Sequence, residues 1–160
     1  MTDTILYQVE DGWIELVSGK QFYFNAPTDD MIQVEDIAYS LSRLCRYNGH
    51  TRRHYSVAEH CVLMADYVGH HGGGPRECLT ALHHDDAEYI IGDLPRSMKA
   101  KVPQFKALEM LLDHAISEKF STVYPFPSWL KELDTRILVD ERRAVMNRSI
   151  NKWGTDSLEP

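Results

Sequence analysis

The chain has 160 residues, 43% of them apolar and 26% charged, which suits one globular domain able to bury a core without covalent staples. Its net charge of −7 at pH 7 argues against a duplex nucleic acid partner: the short basic run Arg52-Arg53 is too small for a polyanion, although two or three cations suffice for a small phosphorylated ligand. The cysteines Cys45, Cys61 and Cys78 are odd in number and lack Cys-x-x-Cys spacing, which excludes a disulfide framework and a thiolate zinc site and leaves them as small core residues.

No apolar run approaches the ~20 residues needed to span a bilayer. Met1-Thr2-Asp3-Thr4 lacks the basic start of a signal peptide. A cytoplasmic location with no membrane partner is expected.

In chain order, residues 13–17 and 21–24 are aromatic or β-branched and flank Ser18-Gly19-Lys20, so they predict a small β-hairpin, broken by Pro27-Thr28-Asp29-Asp30. Val34, Ile37, Ala38, Leu41 and Leu44 then recur at helical spacing and predict a first helix over 34–45, ended by Asn48-Gly49-His50. Ser56-Val57-Ala58-Glu59 has capping-box form and opens a second helix to Gly69, with Val57, Leu63, Met64 and Tyr67 on one stripe. After Gly72-Gly73-Gly74, Pro75 begins a third helix running to Ile91, where Gly92 and Pro95 stop it. A fourth spans 103–120, and Pro125 and Pro127 separate it from a fifth over 128–147. The tail from Thr155 to Pro160 is expected to fray. The predicted fold is mainly α: one domain, a bundle of about five main helices over 34–148 with a small N-terminal hairpin.

The chemistry concentrates in His83-His84-Asp85-Asp86-Ala87-Glu88. Ionisable groups in a row inside a helix are costly if buried unpaired. Neighbouring helical residues point ~100° apart, so a His-Asp pair can hold an ion beside the helix, with Glu88 one turn beyond His84. His60 falls on the apolar stripe of the second helix and Asp134 on the stripe Leu130/Ile137/Leu138/Val145 of the fifth. Three helices turning ionisable groups inward suggest one shared site. Each residue alone has an ordinary alternative. His60 can be a hydrogen-bonded core histidine, Asp134 can pair with Arg136 or Arg46, Glu59 is explained by its cap, and Asp86 is a solvated or supporting residue. His83 is ambiguous, and His70-His71 beside the glycines reads as an exposed loop.

In conjunction, these segments resemble the HD-domain phosphohydrolase superfamily, whose signature is a histidine, a His-Asp doublet and a distant aspartate. Those fall here at His60 within Tyr55-Ser56-Val57-Ala58-Glu59-His60, at His84-Asp85 and at Asp134. Glu88 and Asp93 match the acids that follow the doublet in the bacterial 5′-deoxynucleotidase group, and Gly92-Asp93-Leu94-Pro95-Arg96-Ser97-Met98-Lys99 is similar too. Ser18-Gly19-Lys20, residues 34–38, residues 41–50 and Glu141-Arg142-Arg143 resemble a compact subgroup common in bacteria and prophages, over about residues 15 to 145. Asp86 departs from the small residue usual there.

The resemblance implies one divalent ion held by His60, His84, Asp85 and Asp134. A nitrogen/oxygen set with two carboxylates suits Mn, Co, Fe, Ni or Zn, and Mg less well. Glu88 would move a proton between water and leaving group, and Asp93 would orient water or a sugar hydroxyl. Arg46, His50, Arg96 and Lys99 would surround phosphate. The expected activity is hydrolysis of a deoxynucleoside monophosphate, a small-molecule nucleotide. The alternatives are a deoxynucleoside triphosphohydrolase releasing tripolyphosphate, or a metal-bound nucleotide sensor without turnover. Trp13, Phe22, Tyr23 and Tyr47 are candidates for base stacking, with core or hairpin packing as their other role. Relatives of this type often self-associate, so a homo-oligomer is expected.

Overall fold

The computed structural model describes residues 12–155 together with 157 and 158. The expectation for Met1–Thr4, and part of that for the tail, lie outside these residues. Within the tail, Leu158 N–H donates to the Thr155 carbonyl at 3.0 Å, closing a turn.

A two-stranded antiparallel hairpin opens the fold, with β1 (Trp13–Glu15) paired to β2 (Gln21–Tyr23) in the register Ile14 opposite Phe22. Gly19 supplies the positive φ of the loop between them. The helices follow: α1 (Val34–Leu41), α2 (Val57–His70), α3 (Pro75–Leu82), α4 (Glu88–Ile91), α5 (Arg96–Lys99), α6 (Pro103–Phe120) and α7 (Ser128–Val145). The predicted mainly helical fold with a small hairpin is what the chain adopts. The five longer helices correspond to those expected, and two single-turn helices, α4 and α5, join them.

The strands are shorter than the predicted 13–17 and 21–24, and three helix boundaries differ as well. The first helix stops at Leu41, not at 45, because the Arg43 and Leu44 N–H groups both turn back to the Ser40 carbonyl. The last ends at Val145 rather than 147. The predicted third helix, 75–91, is two helices separated by a turn at 83–87. Asp86, Glu88 and Tyr89 N–H groups reach carbonyls three residues back there, so the doublet lies on a turn and not on a helix face. His83 Nδ1 and Asp86 Oδ2, 2.5 Å apart and buried, hold that turn closed.

The apolar stripe of α2 also differs from expectation. Its buried residues are Val57, His60, Cys61, Met64 and Val68, whereas Leu63 and Tyr67 are exposed. These two sit roughly 80–120° round the helix from that stripe at ~100° per residue. Ser56 caps α2 as predicted, its Oγ accepting from Glu59 N–H at 3.0 Å. The Glu59 carboxylate does not complete the box; it pairs with Arg53 at 2.7 and 2.9 Å.

Two apolar clusters hold these elements together. The larger joins the hairpin (Leu16, Phe22) and Ile32 to α1 (Ile37, Leu41), α2 (Val57, Cys61), Ala87 and Tyr89 beside the doublet, and α6 (Leu112, Ile116). The smaller packs Met64 and Val68 of α2 on Ala81 of α3 and Leu130 of α7. Asp36, buried under the hairpin, accepts from Ser18 N–H and Oγ–H, each at 2.8 Å. No helix among the described residues is long and apolar enough to cross a membrane.

Phe22 is fully buried, and its ring meets the edge of Tyr89 at 5.8 Å, so it couples the hairpin to the helix that carries Glu88. Phe22→Ala should cost roughly 3–5 kcal/mol, read as a shift of the urea midpoint at unchanged slope. A loss below about 1 kcal/mol would show that the hairpin is not part of the core.

Candidate metal centre

The site starts from a buried hydrogen bond. His60, on the inward stripe of α2, is fully buried, and its Nδ1 lies 2.6 Å from Glu141 Oε1 on α7. Glu141 is itself buried and also accepts from Tyr55 OH at 2.8 Å, from Tyr47 OH, and from Arg46 Nη2 at 3.3 Å. Burial alone would raise its pKa. The bond to His60 and the Arg46 charge outweigh that and bring it down to about 2. An ionised carboxylate on Nδ1 makes that nitrogen the protonated one, so the Nε2 lone pair points the other way.

His84 is arranged the same way by a different acceptor. Its Nδ1 lies 2.8 Å from the Ala81 carbonyl oxygen, which can only accept, so Nε2 again carries the free lone pair. The two Nε2 atoms are 3.2 Å apart. Facing lone pairs at that distance repel unless a proton or a cation lies between them.

Two carboxylates complete the cluster. Asp134 Oδ1 lies 3.4 Å from His60 Nε2, and Asp85 Oδ2 lies 3.6 Å from His60 Nε2 and 3.4 Å from His84 Nε2. Donors at ~2.1 Å from one ion stand about 3.0 Å apart at octahedral right angles and about 3.4 Å at tetrahedral ones. The observed separations, 3.2 to 3.6 Å, match that set. His60, His84 and Asp134 can therefore hold a metal ion, with Asp85 beside them. Burial opposes the charge on Asp134, but the hydrogen bond from His60 and the neighbouring imidazoles hold its pKa well below the usual carboxylate range. Burial likewise opposes charge on His60, yet bonds to Asp134 and Glu141 raise it. Without a cation the cluster thus attracts a proton, which a divalent ion would replace.

Cys61 Sγ also lies within reach of His84 and Asp85. Burial pushes its thiol far above the ordinary value, so it stays protonated and donates poorly.

A cavity of about 270 Å³ opens beside the cluster, walled by Arg46, Tyr47, Asp93, Arg96 and Lys99 as well as Asp85, Glu88 and Asp134. Glu88 is 4% exposed; its Oε1 accepts from Lys99 Nζ at 3.2 Å, and its Oε2 is buried with no partner among the described residues. Burial, then the charges of Asp85 and Asp93, push its pKa up to about 9. Asp93, half-buried, is raised by burial as well.

The four candidate phosphate cations fare differently. Arg46 is buried and shared between Glu141 and Asp85, at 3.3 and 3.4 Å, so its charge is committed to the centre. Lys99 bridges Glu88 and Glu109. Arg96 is exposed and holds Asp134 Oδ2 at 2.9 Å, while the Arg46 charge favours the same carboxylate from further away. His50 is exposed and does not line the cavity.

Of the aromatic candidates, Tyr47 alone reaches the cavity wall. Phe22 is core, Tyr23 bonds Gln21, and Trp13 lies exposed on the hairpin. Tyr47, Asn48 and Gly49 all have positive φ (56°, 50° and 76°), and this left-handed run turns Tyr47 and Asn48 toward the cavity. Asp86 is not solvated: it is 2% exposed and bound to His83, whose ring stacks on Phe120 at 4.3 Å. His71 at the end of α2 is exposed and stacks on Tyr67.

In class, this is a helical-bundle protein with a buried histidine–carboxylate centre that can hold a metal ion. It belongs to the family of the uncharacterized protein YfdR of Escherichia coli (strain K12), to which it is 37% identical over 132 residues, 82% of this chain and 71% of that protein. It is also similar to the uncharacterized protein RCAP_rcc00048 of Rhodobacter capsulatus, 34% identical over 124 residues, 74% of this chain and 63% of that one. No protein-family model matches the chain.

Glu141→Gln keeps the shape but removes the charge that fixes the His60 tautomer. It should weaken divalent-ion affinity about 10–100-fold in a chelator-competition titration; an unchanged affinity would mean that the Nδ1 bond does not set the donor.

The raised acids give a pH dependence. Glu88 rises from 4.5 to about 9, and burial and the charge of Glu109 raise Asp113, on α6, from 3.8 to about 8. Over those intervals the unfolded chain binds fewer protons than the folded one, so metal-free stability falls as pH rises. In chelator, the denaturation midpoint should drop between about pH 5 and pH 9, and Glu88→Gln and Asp113→Asn should each flatten the drop.

Proposed function

We propose that the chain is a divalent-metal-dependent phosphohydrolase of the HD type that converts a deoxynucleoside monophosphate to deoxynucleoside and phosphate. The observation that carries this reading is the convergence of His60, His84, Asp85 and Asp134, with both Nε2 lone pairs turned inward, beside a cavity that Glu88 lines. The resemblance of the surrounding segments supports the substrate class.

A bound divalent ion at these donors would lower the pKa of water and neutralise phosphoryl oxygens. The residues of the chain supply the rest. Water adds to phosphorus, the bond to the ester oxygen breaks, and that oxygen takes a proton. Glu88 carries the proton: it lines the cavity, Lys99 holds its Oε1, and its buried Oε2 has no partner among the described residues. Arg96, at the cavity mouth beside Asp134, offers N–H donors to phosphate. Arg46 acts one step back, orienting Asp85 and Glu141. Asp93 accepts from water or a sugar hydroxyl at the wall.

The triphosphohydrolase alternative needs room for two more phosphates. A second cavity of about 280 Å³ also touches Asp85, Glu88 and Asp134, but its other acids, Glu109 and Asp113, face it with a single cation, Lys131, so it offers a polyphosphate little charge to bind. That favours the monophosphate. The resemblance also implies a homo-oligomer, and three free cysteines suit a reducing cytosol.

The test is purified protein with Mn or Co and a panel of deoxy- and ribonucleotide mono-, di- and triphosphates. Orthophosphate from deoxynucleoside monophosphates is expected, with Glu88→Gln lowering kcat about 10²–10⁴-fold at constant metal content. No release above a His84→Ala control on any nucleotide would reject the reading. Tripolyphosphate from a triphosphate would select the alternative, and a Glu88→Gln protein with unaltered function would select the nucleotide sensor.

A further inference from the structure

Cys45 and His54 lie apart from the metal centre and from the cavities beside it. Cys45 Sγ is 3.0 Å from His54 Nδ1, and His54 Nε2 is 3.0 Å from the Ser42 carbonyl oxygen. A carbonyl oxygen only accepts, so Nε2 bears the hydrogen and Nδ1 faces the thiol as its acceptor. A thiol, a base within hydrogen-bond reach and a third group that orients the base make the arrangement used to activate a nucleophile. Both members are reachable from solvent, His54 being exposed and Cys45 half-buried.

The other two cysteines lack this setting. Cys61 lies within reach of His84 but is buried, closed off from solvent beside the metal centre. Cys78, half-buried like Cys45, meets the Gly73 carbonyl with its Sγ at 3.8 Å and has no imidazole partner among the described residues.

We propose that Cys45 and His54 form a modification site, a thiol–imidazole pair open to oxidation by a small hydroperoxide. The Cys45 sulfur gives up its proton to His54 Nδ1 and attacks the terminal peroxide oxygen. An S–O bond forms and the O–O bond breaks. The departing oxygen takes the proton from His54, so the thiol is oxidised to a sulfenic acid and the hydroperoxide is reduced to an alcohol, or to water when it is hydrogen peroxide.

The location ties this chemistry to the rest of the fold. Cys45 forms an isolated antiparallel bridge with Ser56, flanked by Arg46 N–H to the Tyr55 carbonyl at 2.9 Å and Val57 N–H to the Leu44 carbonyl at 3.0 Å. The oxidisable sulfur therefore sits between the residue that grips Asp85 and the first turn of the helix that carries His60.

The test is a site-resolved rate measurement on the intact folded protein in chelator, using iodoacetamide, and separately hydrogen peroxide followed by dimedone, each read by peptide mass spectrometry. Cys45 should be alkylated about ten-fold faster than Cys78 and should take the dimedone label. His54→Gln should lower the Cys45 rate to that of Cys78 and leave Cys78 unchanged. Equal rates for Cys45 and Cys78 in the unaltered protein would overturn the proposal without any variant. So would a Cys45 rate insensitive to His54→Gln in a variant with the parent's circular dichroism.

Discussion

The bond between His60 and Glu141 joins the two helices that enclose the centre, and much of the arrangement follows from it. It is short, fully buried and charge-assisted. A carboxylate so placed is tolerable only with several donors, and Tyr47, Tyr55 and Arg46 supply them. Those donors come from the segment between α1 and α2, so one acid on α7 fixes that loop, the ring of His60 and, through Arg46, the carboxylate of Asp85. A pair of apolar residues of similar volume would pack as well, but it would orient nothing.

The acidity of the whole chain coexists with a cavity edge rich in cations because nearly every cation there is already matched to a specific acid. Arg46 serves Asp85 and Glu141, Arg96 serves Asp134, and Lys99 serves Glu88 and Glu109. The net field at the cavity is a balance of close pairs rather than a broad positive patch. An anion entering there competes with carboxylates for the same guanidinium and ammonium groups, which favours a ligand that brings geometric fit as well as charge.

Much of this was legible in the sequence, because helical period and turn chemistry act locally. The hairpin around Gly19, the five longer helices, and the inward placement of His60 and Asp134 all follow from spacing. The break at 83–87 was not legible, because His83 and Asp86 close it side chain to side chain and the run reads as a continuous helix. Leu63 and Tyr67 fall off the buried stripe of α2, since hydrophobic type alone does not say which of two adjacent rows faces inward. Glu141 carries no motif of its own, but it lies seven residues after Asp134, two helical turns along the same face. That spacing was the available signal. The Cys45–His54 contact joins positions nine apart across an irregular loop, where no periodicity applies.

The interruption after α3 has a further meaning. In a continuous helix the Ala81 carbonyl would also accept from the amide four residues on, and the His84 ring would have to share it. The protein forgoes several main-chain bonds of a regular helix at this point and gains a correctly aimed imidazole. Replacements at 86 or 87 that favour unbroken helix would thus make the chain more regular while loosening the aim of the His84 ring. Local order and competence are opposed along this short stretch.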